Sequence, residues 1–166
     1  MADKSTFTPD EWKTLLESVM ATTLAVTAAE PSGLWGLLKE SFATGTILAK
    51  AKMDTGSNPL IKAIVYDFAT SEGRASSRDG LQEKLSGKKA ADVKNACMQI
   101  IGKVDGILNA KAPSDAAAFK NWLRQISQSV AEASTEGGFL GIGGVVVSDA
   151  EKATVAEISS ALKLPG

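Results

Sequence analysis

The sequence predicts an all-α protein: a mostly antiparallel helical bundle of about four long helices plus one or two short ones, one domain over residues 1–166. Three observations carry this. Apolar residues recur at steps of three and four in several separate stretches, the period of a helix with one buried side. Strong helix-start signals precede most of those stretches. The connections between them are short, as in helical hairpins.

The first start is Thr8-Pro9-Asp10-Glu11, a cap, a proline at the first helical position and the acid of a capping box. Phe7 is placed to pack on Trp12. The helix is predicted through Leu15, Leu16, Val19, Met20, Leu24 and Val26 to about Ala29. Its later part is apolar or small nearly all round, which requires burial on several sides. Glu30-Pro31-Ser32-Gly33 breaks it, and Ser32 caps a second predicted helix reaching about Met53, with Leu34, Leu38, Phe42, Gly45 and Leu48 inward. Ser57 or Asn58 before Pro59 starts a third, carrying Leu60, Ile61, Ile64, Val65 and Phe68.

Residues 71–80 have no apolar period and read as a polar loop or an irregular helix start. Leu81 to Ser86 adds a turn or two, and Gly87 resets the chain. The stretch Lys88–Ala112 reads as the central helix. Val93, Cys97, Ile100, Val104 and Ile107 form its stripe, while Lys89, Asp92, Lys94, Gln99, Lys103 and Asp105 belong in water. Gly102 and Gly106, four apart, are expected to mark a close helix contact. Ser114-Asp115 opens a helix with Phe119, Trp122, Leu123, Ile126, Val130 and Ala133; Thr135 to Gly144 is glycine-rich, and Val145 to Val147 reads as a short extended segment. Ser148-Asp149-Ala150-Glu151 is a capping box for a last helix through Val155, Ile158 and Leu162, stopped by Pro165.

Composition narrows the function. Net charge is −1, so no global field attracts nucleic acid or an anionic membrane. Residues 1–73 carry six basic and nine acidic groups, 74–111 eight and four, and 112–166 four and six. The basic middle lacks arginine clusters and stacking aromatics, so nucleic acid is not an expected partner. Histidine is absent, which removes the usual acid–base group near neutral pH and imidazole metal sites. The single cysteine, Cys97, falls on an apolar stripe and reads as a small hydrophobe. The acid pairs Asp10/Glu11, Asp149/Glu151 and Glu151/Glu157 read as first-turn carboxylates and solvated faces, so no metal or other cofactor is expected. The polar start has no signal-peptide layout and no apolar run approaches a membrane span, which makes the cytoplasm the expected compartment.

Three readings of function remain. The first is a non-enzymatic binding or assembly module that self-associates through a small-residue or glycine-rich surface. The second is a bundle with an apolar pocket for a small lipid-like ligand, touching membranes through Phe139, Leu140 and Ile142 of the glycine-rich segment 137–144. That segment lacks the flanking Lys/Arg that favour anionic lipid, and membrane contact is not the expected outcome. It also fails as a phosphate loop, because a helix precedes it and valines follow. The third is a histidine-free enzyme. Its polar residues would come from Tyr66, Asp67, Glu72, Arg74, Arg78 and Asp79, with Tyr66, Arg74, Arg78 and Asp79 as the candidate site. Trp12, Trp35 and Trp122 read as core rather than as ligand-stacking residues.

The phrases Phe7-Thr8-Pro9-Asp10-Glu11-Trp12, Pro31-Ser32-Gly33-Leu34-Trp35-Gly36 and Gly138 through Val147 into Ser148-Asp149-Ala150-Glu151-Lys152-Ala153 resemble those of small uncharacterised all-helical bacterial proteins. The resemblance implies a bacterial cytoplasmic protein and brings no activity and no site residues.

Overall fold

The computed structural model describes residues 2–29, 45, 48–49, 58–135 and 147–165. Among them are a short 3-10 turn, Lys4–Thr6, and six α-helices: α1 Pro9–Thr27, α2 Pro59–Ala69, α3 Ser71–Leu85, α4 Ala90–Lys111, α5 Pro113–Thr135 and α6 Asp149–Ala161. The protein is an all-α helical bundle. Most of the helix predicted from Ser32 to Met53 lies outside the described residues. Of that stretch, Gly45, Leu48 and Ala49 are helical; Leu48 packs on the core, while Gly45, expected inward, is exposed with open space where a side chain would be.

The helix starts follow their local chemistry. Thr8 Oγ1 accepts the Glu11 N–H while the Glu11 carboxylate accepts the Thr8 N–H, and Ser148 with Glu151 repeats the arrangement at α6. Asn58 caps α2 by accepting from Leu60 and Ile61, with Pro59 in the first position. Phe7 does pack on Trp12, ring centroids 5.8 Å apart.

Of the two readings of 71–80, a polar loop or a helix start, the helix start holds: these residues are the first part of α3. Thr70 explains how. Its hydroxyl donates to the Asp67 carbonyl at 2.7 Å, closing α2, and accepts the Gly73 N–H at 3.0 Å, opening α3. One residue therefore ends one helix and starts the next. The buried side of α3 is Gly73, Ser77, Gly80 and Leu81, helical in spacing but with one large apolar member. Small residues there let α3 approach α1 closely. A Cβ at Gly73 would strike the Asp67 carbonyl, and one at Gly80 the Glu17 carboxylate. Gly87, at φ +73°, then turns the chain into α4.

The hub is α1 rather than α4, the helix expected to be central. α1 packs most extensively on α4, then on α5 and α3, with α6 and α2 also in contact. From Glu11 to Thr27 it has no exposed residue. α4 keeps one side in water, where Asp92, Asn95, Gln99, Gly102, Lys103 and Gly106 are exposed. Its buried stripe is Cys97, Ile100, Ile101, Val104 and Leu108, with Val93 and Ile107 only partly covered. Among the described residues, therefore, Gly102 and Gly106 mark no close contact. A Cβ at either would meet open space.

Asp105 is also inside, not in water. α4 and α5 are joined by Ala112 alone, and seven or eight residues from that corner Lys120 still bonds Asp105 at 2.8 Å, so the two fold back as a hairpin. Lys163 Nζ reaches the other Asp105 oxygen at 3.0 Å. Lys163 itself holds φ +52°, the left-handed residue of a Schellman ending in which Leu164 N–H bonds Ser159 and Lys163 N–H bonds Ser160. Glycine usually fills that position; here the ion pair to Asp105 accompanies the strained residue.

Candidate functional site

The four candidate polar residues take separate posts. Tyr66, on α2, is 56% exposed. Arg74 turns back and donates to the carbonyls of Phe68 and Ala69 at 3.2 and 2.9 Å, closing the end of α2. Arg78 pairs with its neighbour Asp79 at 3.0 Å, both side chains well exposed. Phe139, Leu140 and Ile142 lie outside the described residues.

Two other members of the same sequence cluster, Asp67 and Glu72, line a cleft of about 150 Å³ where the beginnings of α1 and α3 meet the end of α2. Asp67 is its best-held group. The Trp12 indole N–H donates to Asp67 Oδ2 at 2.6 Å, and Lys4 Nζ lies 3.2 Å from the same oxygen. Trp12 is thus a core residue with its polar edge turned to the cleft. Lys13 and Ser76 complete the polar lining, over the bare backbone of Gly73. The pairing of Trp12 with Asp67, fifty-five residues apart, has no signal in helical periodicity.

A second cleft, about 240 Å³, lies between α5 and α6 and is lined by Gln128, Ala131, Glu132, Val147, Lys152 and Val155. It is smaller than the roughly 300–1,000 Å³ of sites that take drug-sized ligands.

The buried charges are interhelical ties. Glu17 of α1 is fully buried and pairs through one oxygen with Lys84 of α3; its Oε1 has no hydrogen-bond partner. Asp115 of α5 accepts from the Asn58 amide at 2.6 Å and the Ala2 N–H at 3.2 Å, joining the 3-10 region, the cap of α2 and the start of α5. Asp105 is held well below the ordinary carboxylate range, at about 2, by its bonds to Lys120 and Lys163. Burial pushes the Cys97 thiol up to about 11, the wrong direction for a nucleophile.

Among the described residues no group of three or more Cys, Asp or Glu is placed to hold a metal ion, and no helix is long and apolar enough to cross a membrane. Compared with known protein families, with curated proteins and with solved structures, the chain finds no match.

Proposed function

We propose that the protein is a non-enzymatic helical assembly module of the cytoplasm, in which the exposed face of α4 docks against a second copy of the chain. One observation carries the reading. Gly102 and Gly106 stand on the solvent side of a 22-residue helix, four apart, with open space where each side chain would be. Each costs about 1 kcal/mol against alanine in a helix interior. No described contact within the chain uses the missing side chains. A helix seated across them would, because bare backbone permits an interaxial distance at the short end of the range. The flanking Asn95, Gln99 and Asn109 supply polar groups for the rim of such a contact.

Sedimentation velocity over a wide concentration range tests this. Reversible association is expected, and Gly102→Leu or Gly106→Leu weakens it while the monomer keeps its helical spectrum. A strictly monomeric protein at every concentration, or association that both substitutions leave untouched, counts against the reading.

A further inference from the structure

We propose that the cleft formed by Lys4, Trp12, Lys13, Asp67, Glu72 and Ser76 binds a small zwitterion of amino-acid size, ammonium end toward the carboxylates and carboxylate end toward Lys13 and Ser76. The site is separate from the α4 face and does not depend on assembly.

Size comes first. About 150 Å³ holds the volume of roughly five waters, which suits a ligand of about five or six heavy atoms. Charge then selects the class. The lining contains two cations, Lys4 and Lys13, and two anions, Asp67 and Glu72. A simple anion entering it meets both carboxylates, and a simple cation meets both lysines. A molecule with both charges a few ångströms apart satisfies each end.

The groups differ in what they have to offer. Asp67 is already fixed: the Trp12 indole and Lys4 hold it, and its side chain is only 14% exposed. It supplies a carboxylate whose position is set before any ligand arrives, which lowers the cost of binding. Lys13 and Glu72 have no ion pair or hydrogen bond among the described residues, although Lys13 is half-buried. Elsewhere in the molecule, the buried carboxylates Glu17 and Asp105 have cation partners. The ammonium of a half-buried lysine and the carboxylate of an exposed glutamate, both left over on the walls of one cleft, are the groups a ligand with opposite charges would pair. Gly73, buried at the cleft wall, lies so close to the Asp67 carbonyl that no larger residue fits there.

The Trp12 indole N–H, bonded to Asp67, reports on the site directly. In ¹⁵N-labelled protein, titration with L-alanine is expected to shift that resonance saturably. Acetate and methylammonium, each half of the ligand, bind roughly tenfold or more weakly, since each leaves one charge unanswered. Lys13→Met and Glu72→Gln each weaken alanine binding by about tenfold with no loss of unfolding midpoint. No saturable shift overturns the proposal, as does acetate or methylammonium binding as tightly as alanine in the unsubstituted protein.

Discussion

Asp105 and Lys120 meet at 2.8 Å with 5% and 11% of their side chains exposed, inside the hairpin of α4 and α5. The carboxylate enters on the polar edge of α4 and is drawn inward by Lys120 and by Lys163, which closes α6. Breaking such a contact from one side strands a charge. Asp105→Ala is expected to destabilise the fold by about 2–3 kcal/mol, below the full cost of a buried pair because water reaches Lys163. The pH dependence has a definite sign. A carboxyl lowered from 3.8 to about 2 on folding contributes stability that is complete above about pH 4 and is lost as pH falls toward 2. Denaturant melts of the wild type and of Asp105→Asn should converge across that window.

Glu17 and Lys84 form a second ion pair with a buried acid, from α1 to α3. Lys84→Met alone leaves a fully buried carboxylate without its partner and is expected to cost about 2–3 kcal/mol. Glu17→Met with Lys84→Met removes both charges and the orphaned Oε1 together, so the double variant should recover most of that loss. A double-mutant cycle in urea measures the coupling; an additive result would mean the pair contributes nothing as a pair.

The glycines divide into two groups of opposite sign. Gly102→Ala and Gly106→Ala each fill open space on a helix and should stabilise the monomer by about 0.5–1 kcal/mol. Gly73→Ala drives a methyl into the Asp67 carbonyl and should cost about 1–3 kcal/mol. Unfolding midpoints below the association range separate the two.

Cys97 is fully buried, with its thiol raised to about 11. Labelling by a water-soluble thiol reagent should be suppressed ~10³-fold or more in the native protein and become immediate in denaturant. Native labelling at the denatured rate would place α4 the other way round.

The stripes were legible where they were built from large side chains. Leu60, Ile61, Ile64 and Val65 in α2, and Cys97, Ile100 and Val104 in α4, are spaced as buried faces and are buried, while Val93 and Ile107 at the ends of the predicted α4 stripe are only partly covered. The caps Thr8, Asn58 and Ser148 were legible because capping needs only neighbours in sequence. α3 was not, because Gly73, Ser77 and Gly80 count as loop formers until a close helix is seen opposite them. Size without side chain is ambiguous: the same residue type serves contact at Gly73 and Gly80, and exposure at Gly102 and Gly106. Asp105 reads as a surface acid until Lys120 and Lys163 are placed. In the cleft, sequence brings Asp67 and Glu72 near one another, but Lys4, Trp12 and Lys13 join them only through the packing of the 3-10 turn and α1 on α2 and α3.

That α1 is enclosed chiefly by α4 and α5 has a consequence in time. Its buried residues lie early in the chain, and the helices that cover most of them begin at Ala90 or later. On a ribosome adding about 5–20 residues per second, α1 emerges roughly sixty residues before α4 begins and waits some 3–12 s. Through that interval Leu15, Leu16 and Val19 face solvent or a chaperone, with α2 and α3 the first described helices able to shelter them. Synthesis rate therefore sets how long these residues wait for α4 and α5.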